Sequence, residues 1–343
     1  MPSILTEENN KSKVSIIDGT RRHLLDLDDF SRDEIELVSK TSDAMLEVLG
    51  RDIKKVPTLR GKVIVTLFYE ASTRTRVSFE EAGKLLSADV INVSSSGSSV
   101  EKGESLLNTV RTLQATGADM VVVRHHHSGA PYFMARNLES MGVINGGDGW
   151  HAHPTQALLD VYTMRRHLGS MEGRKVVIVG DILHSRVARS NLWALALEGA
   201  NVVLCAPPTL IPQEFLSGKH LDEDHPFSHV KIETNVDLAL DGADVVMPLR
   251  LQLERQESGL LPTLREYSKM YGITRERLDL ANADALLLHP GPMNEGVEIS
   301  PDVAHGTQSL IEEQVRNGVA VRMAILYLLV GTTKKEELKA EIQ

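Results

Sequence analysis

Short apolar runs alternate along this chain with segments in which apolar residues recur every three or four positions. Runs at Val63–Phe68, Asp89–Val93, Asp119–Val123, Val143–Ile144, Lys175–Val179, Asn201–Leu204, Val230–Glu233, Asp244–Met247 and Ala285–Leu288 read as strands. Between them the helical period predicts helices over about Arg32–Leu49, from Ser72 to Leu86, over Ser105–Thr116, from Pro154 through His167, from about Ser185 to Leu197, and over Ser309–Val330. Ser31 with Glu34 forms a capping box, and Gly50 stops the first helix. Strand, helix and strand in succession is the crossover unit of a parallel sheet. The series restarts after Gly173, which predicts an α/β chain of two domains, each a parallel sheet flanked by helices, with the site in the cleft between them. Asn145–Trp150 reads as a glycine-rich turn, Pro207–His229 as an irregular loop, and Val315, Val319, Met323 and Leu326 as the core face of the last helix.

The chemistry concentrates where strands give way to helices. After Val63–Phe68 comes Ser72-Thr73-Arg74-Thr75-Arg76. A helix start offers free N–H groups and the positive end of the helix dipole. Arginine there opposes the dipole unless an oxyanion lies between the donors, so this stretch reads as a phosphate pocket. Residues two apart diverge on a helix, so Arg74 faces the anion and Arg76 does not. Arg124 ends a strand, and Arg186 stands at a strand-to-helix turn. Both are carboxyl-end positions, where open α/β sheets bind ligands. His153 precedes Pro154 at another helix start, which disfavours a protonated imidazole, and Gln156 offers an amide one turn on. Arg250 and Gln252 share one side of an extended segment and suit a carboxylate. In His289-Pro290-Gly291-Pro292 the prolines fix a tight backbone whose carbonyls can accept from an –NH₂ group; Gly291-Pro292 is a candidate cis peptide.

Composition narrows the class. The chain has 343 residues, enough for two domains, and a net charge of −10, which gives nucleic-acid binding no support. The single cysteine, Cys205, excludes an intramolecular disulfide, suggests a reducing compartment and follows an apolar run, as a buried thiol would. No apolar run is long enough for a membrane span, and the polar N-terminus shows no secretory signal, so a cytoplasmic protein is expected. Adjacent His125, His126 and His127 point in different directions, and no metal site is expected. GDILHSR lacks the G-x-G-x-x-G of a dinucleotide fold, and no cofactor is expected.

STRTR, the serine–lysine loop at 94–104, Arg124, HPTQ, Arg186, the Arg250-Leu-Gln252 segment and HPGP occur in the order in which the transcarbamoylases carry them. The chain resembles that family over nearly its whole length, and R-x-Q with HPGP resembles its aspartate-using members. The resemblance implies transfer of a carbamoyl group from carbamoyl phosphate to L-aspartate, a step of pyrimidine synthesis. It implies a carbamoyl-phosphate site of Ser72, Thr73, Arg74, Thr75, Ser98, Lys102, Arg124, His153, Gln156, Pro290 and Gly291. It implies an aspartate site of Lys102, Arg186, Arg250 and Gln252, with Arg74, Thr75, Lys102, Arg124 and His153 acting on the reacting groups. Residues 1–150, joined by the closing helix at 306–343, would form the carbamoyl-phosphate domain, and 151–305 the aspartate domain. Ser98 and Lys102 would reach a neighbouring subunit's site in a homotrimer, and a regulatory chain or another pyrimidine-pathway enzyme is a further partner class. Two other readings stay open: a different amine acceptor, such as ornithine, which would need an acidic partner, and an inactive scaffold in a larger assembly.

Overall fold

A computed structural model describes residues 14–94, 104–217, 225–252 and 263–330. The first half runs α1 (Arg32–Leu49), β1 (Val63–Phe68), α2 (Thr73–Leu85), β2 (Asp89–Ser94), α3 (Leu106–Ala115), β3 (Met120–His125), α4 (Ala130–Arg136), β4 (Gly142–Asp148) and α5 (Pro154–Leu168). The second runs β5 (Lys175–Val179), α6 (Arg186–Leu197), β6 (Asn201–Cys205), α7 (Gln213–Ser217), β7 (Lys231–Glu233), α8 (Val236–Leu240), β8 (Val245–Pro248), α9 (Leu264–Tyr271), α10 (Arg275–Leu278), β9 (Leu286–Leu287), α11 (Pro301–Ala304) and α12 (Ile311–Val330).

Two parallel sheets result, ordered β2-β1-β3-β4 and β7-β6-β5-β8-β9. Both faces of the first are buried. Ile64, Phe68, Met120 and Val122 pack to one side, while Val65, Leu67, Val121 and Val123 pack to the other. That two-sided burial explains the continuous apolar runs, because crossover helices cover both faces of a parallel sheet. In each sheet the chain order reverses beside a central strand, between β1 and β3 and between β5 and β8. Such reversals open a crevice at the carboxyl ends of the strands. The functional side chains lie at these two crevices.

α1 carries the expected capping box, with the Ser31 side chain accepting from the Glu34 N–H and the Glu34 carboxylate accepting from Ser31 N at 2.9 Å. α5 is buried continuously from Pro154 to Met164, which makes it the central post of the fold. α12 packs against α1, α2 and α5. Cys205 is buried and unbridged, and burial pushes its thiol up to about 12.

Three expectations are corrected. The loop expected over Pro207–His229 contains the short helix α7 and buries Leu210 and Ile211 just before it. The turn expected over Asn145–Trp150 is confined to Gly149 and Trp150: β4 runs from Gly142 to Asp148 and is buried throughout. Glycine serves close approach there, since Gly147 has φ +119° and a Cβ on it would stand 3.0 Å from the guanidinium groups of both Arg124 and Arg186. On α12, Val319, Met323 and Leu326 are core, but Val315 is 53% exposed. The helix is buried on most of its circumference, including Arg322, so the apolar period does not mark a single inner face. The short helices α4 and α7 to α11 have too few turns to show a period.

Candidate active site

A cleft of about 500 Å³ lies where the two crevices meet. Ser72, Thr73, Arg74, Thr75, Arg124, His153, Gln156, Arg186, Arg250, Gln252, Pro290 and Gly291 all line it. Ser98 and Lys102 lie outside the described residues. Arg76 is not among the lining residues, as its place on the helix predicts.

The start of α2 forms one wall. Ser72 is extended, with φ −161°, and its hydroxyl accepts from the Thr75 N–H at 3.4 Å. No acidic residue occupies the first turn, so the dipole there is left for an external anion. Solvent reaches Arg74 through the cleft mouth, yet the packed walls, and then the charge of Arg250, lower its pKa. Two cations lining one cleft mark a site for an anion.

His153 caps α5 and is 4% exposed. Burial, reinforced by Arg124, Arg186 and Arg322, holds its pKa well below the ordinary value, so the ring is neutral. Its Nδ1 is buried without a hydrogen-bond partner among the described residues. A neutral imidazole next to two cleft arginines can donate to a developing oxyanion without giving up its proton.

The opposite wall belongs to the second sheet. Ser185 caps α6, and its hydroxyl accepts from Ala188 N at 3.1 Å. Arg186 follows as the first helical residue. Its Nη1 donates to Glu70 Oε2 and its Nη2 to Glu70 Oε1, each at 2.8 Å, and Nη1 also reaches Gly149 O at 3.1 Å. Arg124 Nη2 donates to the same Glu70 Oε1 at 3.0 Å, and its Nη1 to Gly146 O at 3.1 Å. One carboxylate thus ties the two sheets' arginines together. Gln252 is held through its backbone, whose N–H donates to Asp181 Oδ2 at 3.3 Å.

The floor is the 289–292 loop, which contains the expected cis Gly291-Pro292 bond. His289 Nδ1 accepts from Gly291 N at 2.8 Å, and His289 N donates to Gln314 Oε1 at 2.8 Å. Burial lowers the His289 pKa against the opposing pull of Glu298. Arg322 lies under Phe79, with its Cζ 5.2 Å from the ring centroid, and burial brings it down to about 10 while Asp160 opposes the shift.

Sequence reasoning missed Glu70, Ser78, His289, Gln314 and Arg322 as lining residues. Glu70 sits inside the stretch that drew attention to α2, and a lone acid before an arginine cluster was its only signal. Gln314 and Arg322 lie on a helix remote in sequence, where nothing local marks them. The three adjacent histidines do not point apart as expected: their rings cluster, with His125 stacked on His126 at 4.4 Å between centroids and His127 tilted against both, and the His125 Nδ1 accepts from His127 N at 2.9 Å. Among the described residues no group of His, Cys, Asp or Glu is arranged to hold a metal ion.

Comparison with known proteins gives the same architecture. Residues 22–166 match the aspartate/ornithine carbamoyltransferase carbamoyl-P binding domain, and residues 172–329 match the Asp/Orn binding domain of the same family. The chain is 63% identical over 312 residues to the aspartate carbamoyltransferase catalytic subunit of Roseiflexus sp. (strain RS-1), spanning 91% of this chain and 96% of that one. It is similar to the crystal structure of aspartate transcarbamoylase from Trypanosoma cruzi in complex with carbamoyl aspartate and phosphate, with a TM-score of 0.80 at 30% identity over 90% of this chain and 95% of the other. The ornithine carbamoyltransferase from Pyrococcus furiosus is nearly as similar in shape, with a TM-score of 0.79 at 27% identity over 90% and 97% of the two chains, so backbone shape alone does not select the acceptor. The chain belongs to the aspartate/ornithine carbamoyltransferase family.

Proposed function

We propose that the chain transfers the carbamoyl group of carbamoyl phosphate to the α-amino group of L-aspartate, giving N-carbamoyl-L-aspartate and phosphate. The observation that carries this reading is one cleft with a helix-start anion site at Ser72–Thr75 and a separate cationic wall of Arg186 and Arg250 beside Gln252. Two anionic reactants fit side by side there, one phosphate and one dicarboxylate. A cationic acceptor side chain would meet arginine, and the acid in that wall, Glu70, is bonded to Arg124 and Arg186.

In this reading the α2 N–H groups, the hydroxyls of Ser72, Thr73 and Thr75, and Arg74 hold the phosphate. Thr75, Arg124 and neutral His153 polarise the carbamoyl oxygen, and Gln156 with the Pro290 and Gly291 carbonyls takes the –NH₂ group. The aspartate nitrogen forms the new N–C bond. The C–O bond to phosphate breaks, and the amine proton leaves with the phosphate. Arg74 neutralises the departing oxygen. Orienting two bound reactants supplies about 7–11 kcal/mol and one oxyanion donor about 3–4 kcal/mol, so no covalent intermediate is needed.

The same reading assigns residues 1–150 and 306–343 to a carbamoyl-phosphate domain and 151–305 to an aspartate domain. It brings Ser98 and Lys102 from a neighbour's loop within a homotrimer, in a cytoplasmic step of pyrimidine synthesis. Phosphate release from carbamoyl phosphate, with L-aspartate compared against L-ornithine, tests it. Release with aspartate alone is expected. Release with ornithine alone would overturn the acceptor assignment, and release with neither would overturn the reaction.

A further inference from the structure

Asp160 is fully buried on α5 and touches no space in the cleft, yet it meets three side-chain amides at once. Gln156 Nε2 donates to its Oδ1 at 2.9 Å, Gln314 Nε2 donates to the same oxygen at 2.8 Å, and Asn191 Nδ2 donates to Oδ2 at 2.9 Å. These partners come from α5, α12 and α6. The charged group facing Asp160 is Arg322 of α12, and the three amides are neutral.

The donor and acceptor pattern is forced. Gln314 Oε1 accepts from His289 N, a backbone group that can only donate, so Gln314 must turn its –NH₂ toward Asp160. An ionised carboxylate only accepts. Gln156 therefore also presents –NH₂ to Asp160, which leaves its carbonyl oxygen for the cleft that it lines. An amide without such a partner can turn over and offer either end. Gln156 and Asp160 are four apart on one helix, so they share a face and the contact is built into the element.

We infer that Asp160 is a positioning residue that fixes the amide polarity of Gln156, and that it thereby makes the cleft select an acyl phosphate bearing –NH₂ over one bearing –CH₃. The inference rests on the carbamoyl-phosphate reading above and adds the source of its selectivity. Burial raises Asp160 to about 6, so the group is the required acceptor at neutral pH and above.

The probes are carbamoyl phosphate, acetyl phosphate and inorganic phosphate. In the full-length chain, the KM of carbamoyl phosphate is compared with the inhibition constants of the other two. Asp160→Leu keeps roughly the branched side-chain shape and removes both acceptor oxygens, so nothing holds the Gln156 –NH₂ and its amide can turn over. The preference for carbamoyl over acetyl phosphate is expected to fall ~10-fold or more, with phosphate inhibition unchanged because α2 is untouched. Equal weakening toward both acyl phosphates would reduce Asp160 to a packing role and overturn the inference. Should that variant fail to fold, the unsubstituted chain gives a second reading. Protonation removes the carboxylate charge that holds the Gln156 –NH₂, so the preference should decline as pH falls through about 6, whereas a flat ratio overturns the inference. Ionisations that act equally on both acyl phosphates cancel in that ratio. An unsubstituted chain with no carbamoyl transfer would remove the underlying reading, and the inference with it.

Discussion

Gly291→Ala is a test of how closely the 289–292 loop is fitted to Arg74. Gly291 has φ +62°, in the left-handed region, and its open face lies against the Arg74 guanidinium. A Cβ built there would stand 2.6 Å from Nη2 and closer still to the rest of the group. Two effects follow, and they separate. The backbone conformation costs an L-residue ~1–2 kcal/mol, a few degrees in Tm for a chain of this size. The guanidinium, at the end of a flexible side chain, moves aside by about 1 Å. Misplacing a positioned group by that much costs ~10²-fold in rate. Gly296 supplies the control, with φ +84° and nothing within 4 Å of the added Cβ. Gly296→Ala should lower Tm by a similar amount and leave turnover within about threefold, since its strain is alike but no cleft group is displaced. Phosphate release at saturating carbamoyl phosphate and aspartate reads the rates, and a thermal melt reads the stabilities. If Gly291→Ala keeps turnover within threefold of Gly296→Ala, the loop does not position Arg74 and the reasoning fails.

Arg74→Ala should lose at least ~10³-fold in turnover through the missing charge on the departing oxygen while retaining its melting transition. Mixing that chain with a Lys102→Ala chain should restore part of the activity by forming some intact sites, and recovery no greater than the sum of the parents would exclude shared sites. His125 is held down to about 4 by burial, with the charges of His126 and His127 adding to the effect. An unfolded histidine titrates near 6.5, so below that pH the unfolded chain takes up a proton that the fold refuses, and stability falls as pH drops. The slope is ~1.4 kcal/mol per pH unit for this one group. His125→Gln should therefore show a smaller loss of Tm between pH 7.5 and 5.5 than the parent chain, and an equal loss would place the acid sensitivity elsewhere.

The α/β class and the strand positions were legible because parallel strands buried on both faces leave continuous apolar runs. The α2 start was legible for a local reason: cap, hydroxyls and arginine are neighbours in sequence, and their conflict with the helix dipole is visible without a fold. The glycines of 145–148 misled because glycine marks a turn and a close approach by the same letter. Only the positions of Arg124 and Arg186 show that the second applies to Gly147. Asp160, Gln314 and Arg322 carried no local mark. Each is a polar residue in a helix, and Gln314 and Arg322 meet Asp160 only when α5 and α12 pack together, although Gln156 is already the neighbour of Asp160 one turn away on α5.

The contacts of α12 with α1, α2 and α5 also bear on how the chain acquires its structure. During synthesis, the helices beside the first sheet emerge long before the segment that covers them. Their apolar flanks must wait, exposed, until about residue 330 has left the ribosome, while the second sheet has already had time to collapse. Contacts between such distant segments slow folding and leave partly covered intermediates open to association. A nascent chain halted before α12 should therefore be the species most dependent on chaperones, and the step that completes the cleft wall at Gln314 and Arg322 is the same step that ends this vulnerability.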